Sequence, residues 1–182
     1  MKMLKKIDLK TEDTLYILGD VIDRGPDGLK ILQDMMKRPN VELIIGNHEV
    51  LMLDALKNFE EIKSKDRHDT DDVDLWLDPC NGGGTTFEEY GVLSAEKKKA
   101  VIEYIENAWV VKKIKVNNKT YHLSHAYTCN RRCKEGFHFK ELTHDEVWDV
   151  IWVNIYDRAF IREYKDKLYP NKKTIYISGH TF

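Results

Sequence analysis

Four short apolar runs, each followed within two residues by a polar side chain, constrain the fold of this chain more than any other feature of its sequence. The runs cover residues 14–19, 41–46, 120–124 and 174–178. Because they are rich in β-branched and aromatic residues, they predict buried strands. Amphipathic stretches between them, such as residues 95–107 behind the cap Ser94, predict helices. This alternation predicts an α/β or α+β layered domain in which a sheet is flanked by helices.

Three local signals predict where particular elements begin or turn. Asn117-Asn118 separates two alternating runs and predicts the turn of a β-hairpin. Thr143 predicts the N-cap of a helix that is rich in valine and tryptophan. Thr85-Thr86, which follow a glycine-rich loop, predict the N-cap of a short helix.

The length of 182 residues favours a single domain over residues 1–182. The hydrophobic content of 42% is sufficient for a packed core and excludes an intrinsically disordered chain. Residues 58–74 differ from the rest because they contain many charges and few apolar side chains. We therefore expect residues 58–74 to form a mobile surface segment.

The charge and hydropathy of the chain exclude several classes of partner. It has 29 lysine and arginine residues against 31 aspartate and glutamate residues, with a pI of about 6.4, so it lacks the basic excess of a dedicated nucleic-acid binder. No stretch approaches the roughly 18 apolar residues of a membrane span. The basic N-terminus has no apolar segment behind it, so no secretory signal is predicted.

The three cysteines Cys80, Cys129 and Cys133 are too few, and odd in number, for a disulfide framework. Free thiols in a reducing cytoplasm fit this count better, so we expect a cytoplasmic protein. An alternative is a zinc knot formed by Cys129 and Cys133 with His125 and His138. Its spacing is poor and there is no second cysteine pair, which favours free thiols.

The polar residues that follow the four predicted strands are Asp20, Asn47, His125 and His180. Each has an ordinary explanation when taken alone, since aspartate and asparagine are common in turns and a single histidine is often a hydrogen-bonded core or surface group. At four strand ends together they indicate a ligand site, because open α/β sheets bind ligands at that edge. Their oxygen and imidazole donors suit Mn, Fe or Zn. We expect the four side chains to converge on a common cation.

Several segments of this chain resemble the motifs of one protein superfamily. Residues 19–25 (GDVIDRG) and 46–49 (GNHE) resemble two motifs of the phosphoprotein phosphatases, within the calcineurin-like metallophosphoesterase superfamily. Residues 124–126 (SHA) and 179–181 (GHT) resemble its two later histidine motifs. Residues 81–83 (NGG), with Thr85, are similar to a loop of the bacterial and phage-type Ser/Thr phosphatase branch. The resemblance extends from Asp8 to Phe182 and implies a metallophosphoesterase-type sheet.

The resemblance implies a site with two divalent metal ions, Mn, Fe or Zn. In this superfamily an aspartate bridges the two ions, which corresponds to Asp20. An asparagine and two histidines bind the second ion, which corresponds to Asn47, His125 and His180. Two such ions lower the pKa of a bridging water from 15.7 towards about 7, so that hydroxide is available at neutral pH to attack phosphorus.

The resemblance also implies three catalytic residues. Arg24 would bind a phosphate oxygen, although alone it could equally be an ordinary surface cation. His48, oriented by Asp23, would protonate the leaving group as a general acid. A further substrate-binding arginine is expected, and three candidates stay open: Arg131, Arg132 and Arg158.

The superfamily's first motif, Asp-x-His-Gly at the end of a first strand, has no counterpart in this sequence. Residues 1–9 match the region just before the second strand, and the resemblance implies a further strand beyond His180. We therefore expect the domain to be truncated at both ends, with only Asp20 available for the first metal. The expectation for this chain alone is weak binding of a single ion and little or no hydrolysis.

Three functions are consistent with these residues. The leading prediction is a metal-dependent phosphatase that acts on Ser/Thr phosphoproteins or on small phosphoesters. The alternative is a hydrolase of symmetrical dinucleoside polyphosphates such as diadenosine tetraphosphate. The third is a non-catalytic remnant that lacks the first-metal ligands. The sequence leaves the substrate, the native metal and the oligomeric state open.

Overall fold

The computed structural model describes residues 2–64, 69–127, 136–152 and 173–180 of the chain. Helices and strands alternate up to residue 64, further helices follow up to residue 106, and three strands then follow over residues 109–138. This mixed helix and strand content is consistent with the layered α/β prediction. In chain order the elements are α1 (Lys2–Ile7), β1 (Leu15–Ile17), α2 (Gly28–Met35), β2 (Val41–Leu43), α3 (Asn47–Ser64), α4 (Asp71–Leu77), α5 (Gly84–Gly91), α6 (Ala95–Glu106), β3 (Trp109–Val116), β4 (Lys119–Ser124), β5 (Gly136–His138), a 3₁₀ turn (Phe139–Glu141), α7 (His144–Ile151) and β6 (Thr174–Ser178).

The chain divides into two compact units. The first comprises Met1–Tyr16, Asp20–Glu42 and His48–Ile105, and the second comprises Ile17–Gly19, Leu43–Asn47 and Glu106–Phe182. The chain therefore passes between the units several times. The single domain expected over residues 1–182 stays a prediction.

The first unit is mainly helical. Leu29 and Leu32 of α2 are buried, as are Val101 and Ile105 of α6, so each helix buries residues spaced three or four apart. α3 is the longest helix of the described residues, at 18 residues. The apolar residues near its start, which include Val50, are buried as well. These helices form the core of this unit.

Helices occupy much of the segment that was expected to be mobile, residues 58–74. α3 continues to Ser64, and α4 begins at Asp71. Asn58 is buried, and its Nδ2 donates to the Asp69 carbonyl at 3.3 Å. Residues 65–68 lie outside the described part of the chain. The mobility of 58–74 stays a prediction.

The second unit contains a four-stranded sheet with the order β5-β3-β4-β6. β3 and β4 form the predicted antiparallel hairpin, whose turn residues Asn117 and Asn118 have φ values of 49° and 62°. These left-handed conformations are typical of a type I′ turn. β4 and β6 are parallel, and their register pairs Ser124 with Ser178. His125 and Gly179 therefore follow at the same end of the two strands, where the Gly179 N–H donates to the His125 carbonyl at 2.7 Å.

The first two strands are shorter than predicted. β1 ends at Ile17 instead of continuing to residue 19, because Gly19 has a φ of 76° and the chain turns there. β2 ends at Leu43, and Ile44 forms an isolated parallel bridge with Trp109. The prediction of strands over 14–19 and 41–46 was therefore correct in position but wrong in length.

Two of the three predicted helix caps are present. The Ser94 hydroxyl accepts the Lys97 N–H at 3.4 Å, just before α6 begins at Ala95. The Thr143 hydroxyl accepts the Glu146 N–H, and the Glu146 side chain accepts the Thr143 N–H at 3.0 Å, which is a capping box. The cap predicted at Thr85-Thr86 is wrong, because α5 begins at Gly84 with Gly83 at the N-cap. Within the described residues, no helix combines the length and the apolar character needed to cross a bilayer.

Candidate metal centre and catalytic residues

Three of the four predicted metal ligands of the chain lie together in the second unit. The His125 Nε2 atom is 3.0 Å from Asn47 Oδ1 and 3.0 Å from His180 Nδ1. The third edge, between His180 Nδ1 and Asn47 Oδ1, is 3.1 Å. We call these three residues the ligand triangle. Asn47 and His125 are buried, and His180 is partly exposed.

The orientation of the His125 ring determines which of its nitrogens faces the triangle. Its Nδ1 contacts the Leu18 carbonyl oxygen, which is an acceptor, so Nδ1–H donates to it. Nε2, the other ring nitrogen, faces Asn47 Oδ1 and His180 Nδ1. A histidine that donates one ring nitrogen to a backbone carbonyl is typical of metal ligation by the other nitrogen. The triangle therefore has the chemistry of a cation site.

The size of the triangle also fits a metal ion. Ligand atoms on one face of an octahedron, about 2.1 Å from the ion, are about 3.0 Å apart, whereas tetrahedral ligands at that distance are about 3.4 Å apart. The observed edges of 3.0 to 3.1 Å match the octahedral face. Two imidazole nitrogens and an amide oxygen suit a divalent transition ion better than a site built from thiolates would.

Glycine at position 19 permits the close packing around His125. A Cβ atom on Gly19 would lie 2.5 Å from the Gly46 Cα and 2.7 Å from His125 Nδ1, and Gly19 also has a φ of 76°. No residue with a side chain fits such an approach. The strand-end glycine of the sequence pattern therefore allows the Leu18 carbonyl to approach His125.

Asp20, the fourth predicted ligand, lies in the first unit. Its Oδ1 accepts the His48 backbone N–H at 3.4 Å. Its own N–H donates to Glu49 Oε2 at 3.0 Å, and the Val21 N–H donates to Glu49 Oε1 at 2.8 Å. Asp20 has a left-handed φ of 53°. The carboxylate of Glu49 therefore holds the turn that presents Asp20.

The predicted catalytic pair, Asp23 and His48, also lies in the first unit. His48 Nδ1 is 2.8 Å from Asp23 Oδ2, and the Trp76 Nε1–H donates to the same oxygen at 3.0 Å. The Asp23 N–H donates to the Thr86 hydroxyl at 2.9 Å, which is the contact that Thr86 makes instead of a helix cap. All four residues are buried. We call Asp23, His48, Trp76 and Thr86 the Asp–His pocket.

The charges of this pocket favour protonated His48. Burial lowers the pKa of His48, but the hydrogen bond to Asp23 and the charges of Asp20 and Asp23 raise it by more, while Arg24 lowers it. The net result is a pKa above the ordinary value of 6.5. A raised pKa favours the protonated form that a general acid requires.

Arg24, the predicted phosphate ligand, is exposed beside the loop that contains Gly82. Its backbone N–H donates to the Gly82 carbonyl at 3.1 Å, and its Nη2 donates to the Cys80 carbonyl at 3.2 Å. Arg24 has a φ of 58°. The loop around residues 80–82 thus fixes both the backbone and the guanidinium of Arg24.

Other predicted residues lie elsewhere or outside the described part of the chain. The His138 Nδ1–H donates to the Asn107 carbonyl at 2.7 Å, and its ring centroid lies 3.6 Å from that of Trp109, which is a local structural role. Cys80 is a free, exposed cysteine. Five residues named above lie outside the described residues: Cys129, Cys133, Arg131, Arg132 and Arg158.

Glu49 and Trp76 are the two residues of these clusters to which the sequence analysis assigns no role. Their partners are distant in sequence, since Trp76 contacts Asp23 across 53 residues. One signal could have found Glu49: it is a carboxylate directly before a run of buried apolar residues that begins at Val50. A charge in such a place requires a partner.

An α/β chain with a cluster of imidazole and amide ligands, an Asp–His pair and a positioned arginine has the groups that metal-dependent phosphoester hydrolysis requires. A sequence model described as calcineurin-like phosphoesterase matches residues 1–181. The chain belongs to the calcineurin-like phosphoesterase family. This membership confirms the predicted metallophosphoesterase fold and, at the level of the family, the predicted hydrolase class.

Curated relatives are named symmetrical bis(5'-nucleosyl)-tetraphosphatase. The protein from Enterobacter sp. (strain 638) is 33% identical over 84 residues, which are 41% of this chain and 30% of the relative. The Chromobacterium violaceum protein is 31% identical over 83 residues, 44% of this chain and 28% of the relative. The Cellvibrio japonicus protein is 42% identical over 53 residues, 28% of this chain and 20% of the relative.

The chain thus covers less than a third of the length of these relatives. Their names match the alternative prediction, a dinucleoside tetraphosphate hydrolase, better than the leading prediction of a Ser/Thr phosphoprotein phosphatase. The superfamily assignment is confirmed, whereas these relatives do not support the finer assignment to the Ser/Thr phosphatase branch.

Proposed function

We propose that this protein is a metal-dependent hydrolase of small phosphoesters and that its substrate class is the symmetrical dinucleoside tetraphosphates. The observation that carries the proposal is the ligand triangle, in which His125 Nε2, Asn47 Oδ1 and His180 Nδ1 lie 3.0 to 3.1 Å apart. Two imidazole nitrogens and an amide oxygen are ligands that divalent transition ions accept. The substrate class is suggested by the names of the relatives.

We propose Asp20 as the fourth ligand of the same ion. Asp20 follows Gly19, whose backbone packs against His125. His48, which donates to the Asp20 carboxylate, follows Asn47 directly. The convergence of Asp20 with the other three ligands stays a prediction from the sequence pattern. A divalent ion bound there, with Mn, Fe and Zn as candidates, would lower the pKa of a water ligand and polarise a phosphoryl oxygen.

The other residues would act on the substrate. Arg24 offers its guanidinium to a non-bridging phosphate oxygen. His48, held at Nδ1 by Asp23, has Nε2 to donate a proton. In the reaction, a water oxygen bonds to phosphorus and the P–O bond to the leaving nucleoside diphosphate breaks. The leaving oxygen takes the proton of His48, and the other nucleoside diphosphate carries the oxygen of the water.

The test is product analysis with the full chain. The protein is incubated with Mn²⁺, Fe²⁺ or Zn²⁺ and diadenosine tetraphosphate, and nucleotides are separated by chromatography. Symmetrical hydrolysis yields ADP alone, whereas asymmetrical hydrolysis yields AMP and ATP. The identity of the product is the decisive readout.

Three controls make the result specific. A chelator and the variant His48→Gln should each abolish the ADP signal, which would assign it to this site and not to a contaminant. A phosphoserine peptide assayed in parallel would release phosphate if the protein were a phosphoprotein phosphatase. Absence of ADP with every metal, or cleavage of the peptide alone, would contradict the proposal, and absence of all products would favour the non-catalytic alternative. The proposed location of the protein is the cytoplasm, consistent with its exposed free Cys80.

A further inference from the structure

We infer that Glu49 is a positioning residue that sets the metal affinity of the site by holding the backbone of Asp20. The inference rests on the proposed function of Asp20 as a ligand. It adds a residue that the resemblance does not assign to the site, and it concerns contacts within the first unit alone.

The geometry around Glu49 is that of a clamp. Its carboxylate is fully buried, and each of its oxygens accepts a backbone N–H, from Asp20 at 3.0 Å and from Val21 at 2.8 Å. Burying a carboxylate is unfavourable unless it is well hydrogen-bonded, and N–H groups that donate to a charged acceptor form strong bonds. Glu49 therefore has a strong preference for this one arrangement.

Glu49 holds a stretch of backbone in an unfavourable conformation. Gly19 and Asp20 are both left-handed, with φ values of 76° and 53°. This conformation is unfavourable for Asp20 because it has a side chain, and it persists where the surroundings fix it. Consecutive N–H groups in such a turn form a concave site that attracts an anion, and the Glu49 carboxylate occupies it.

The first turn of α3, which contains Glu49, also contacts the side chain of Asp20. The His48 N–H donates to Asp20 Oδ1 at 3.4 Å, while Glu49, the next residue of α3, holds the Asp20 N–H. Both the main chain and the carboxylate of Asp20 are thus fixed by the start of α3. Removing the clamp should leave the Asp20 ligand present but poorly oriented.

The test is Mn²⁺ affinity by titration calorimetry for the wild-type chain and Glu49→Gln. The amide keeps one acceptor oxygen but turns an NH₂ group against the second N–H. We expect the dissociation constant to rise about 10- to 100-fold, the usual effect of removing a group that orients a metal ligand. The matched control is Glu89→Gln, since Glu89 Oε2 also accepts a backbone N–H, from Leu29 at 3.2 Å. This control should leave the Mn²⁺ affinity unchanged.

A double-mutant cycle separates positioning from a purely structural effect. If Glu49 acts through Asp20, then adding Glu49→Gln to the Asp20→Asn variant should change its Mn²⁺ affinity by less than about twofold. Equal losses in both backgrounds, or no loss in the wild-type background, would overturn the inference. If Glu49→Gln does not fold, as judged by circular dichroism, Glu49→Asp takes its place, because it keeps the charge but shortens the reach.

The two proposals can fail separately. If the wild-type chain binds Mn²⁺ and Glu49→Gln leaves that affinity unchanged, the positioning role is overturned and the proposed function remains intact. Wild-type chain that binds no Mn²⁺, Fe²⁺ or Zn²⁺ would overturn the proposed function, and the role of Glu49 with it.

Discussion

The Asp–His pocket and the ligand triangle are both clusters of buried polar side chains, but their hydrogen bonding differs. In the pocket, donors meet an acceptor: His48 and Trp76 both donate to Asp23 Oδ2. In the triangle, two imidazole nitrogens and an amide oxygen lie 3.0 to 3.1 Å apart. The pocket is therefore held together by two donors that share one carboxylate oxygen, whereas the triangle presents atoms that suit a cation.

This difference has a general consequence for the two groups of residues. Residues of the pocket contribute to folding whether or not metal is bound, because a buried donor that loses its acceptor is costly. Residues of the triangle should contribute mainly to metal binding, because their nitrogen and oxygen atoms are the ligand types that a divalent transition ion accepts. Substitutions in the two clusters should therefore affect different measurements.

The largest expected effect is that of Asp23→Ala in the pocket. It removes the acceptor shared by His48 and Trp76, and leaving two buried donors unpaired should lower the free energy of unfolding by about 4 kcal/mol. The measurement is urea denaturation in the presence of a chelator. Asp23→Asn keeps one oxygen acceptor and should cost less. If both variants unfold at the wild-type midpoint, the pocket does not contribute to folding as described.

The next effect is that of His180→Ala in the triangle. Losing a ligand should weaken Mn²⁺ binding by more than about 100-fold, beyond the loss that follows removal of a group that only orients a ligand. The metal-free stability should stay within about 1 kcal/mol of wild type, since His180 is partly exposed. The matched control is His144→Ala, an exposed histidine of the same unit, which should alter neither quantity. A large loss of metal-free stability in His180→Ala would remove the distinction between the two clusters.

A third prediction concerns pH, because two buried histidines of this chain have opposite pKa shifts. The pKa of His48 is raised, whereas burial, together with the charge of Lys113 on the paired strand, lowers the pKa of His122 to about 4. His122 has an ordinary pKa of 6.5 when unfolded, so between pH 6.5 and 4 the unfolded chain binds more protons than the folded chain. Stability due to neutral His122 is therefore complete above pH 6.5 and is lost as the pH falls to about 4.

The expected loss at pH 4 is about 3 kcal/mol, measured as the difference in the free energy of urea unfolding between pH 7 and pH 4. His122→Leu should reduce this difference by that amount, because leucine fills the buried position without titrating. Should the variant keep the full acid sensitivity of the wild type, the effect originates in other groups.

Local signals predict those parts of the molecule whose partners are close in sequence. The turn at Asn117-Asn118 and the cap at Thr143 depend on residues within a few positions, and both are confirmed. The strand over residues 14–19 was predicted too long because the apolar run does not reveal that Leu18 turns its carbonyl towards His125. Hydrophobic pattern alone cannot separate the end of a strand from an apolar turn.

The candidate site shows the same limit. Its ligands could be named from the sequence because each follows an apolar run, but the groups that hold them could not. Glu49 contacts residues 28 and 29 positions earlier, and Trp76 contacts Asp23 across 53 residues. Thr86 was assigned to a helix cap, which is its most common local role, although its hydroxyl binds the Asp23 N–H. Long-range partners override local preference in each case.

The smallest predicted effect concerns Gly82, which supports Arg24. Gly82 has a φ of 72°, and a Cβ atom there would lie 2.8 Å from the Arg24 Cγ. Gly82→Ala should therefore lower the free energy of unfolding by about 1 to 2 kcal/mol, the usual cost of a left-handed residue with a side chain. It should also displace Arg24 and raise the KM for the phosphoester substrate, with a smaller effect on kcat.

Gly84→Ala is the matched control because a Cβ atom on Gly84, the first residue of α5, meets nothing within 4 Å. Alanine is the better helix former, so this variant should be as stable as the wild type or more stable by up to about 1 kcal/mol. Equal urea midpoints for the two variants would show that the loop tolerates a side chain at position 82. Arg24 would then be free to adjust, and its positioning by the Gly82 and Cys80 carbonyls would not contribute to substrate binding.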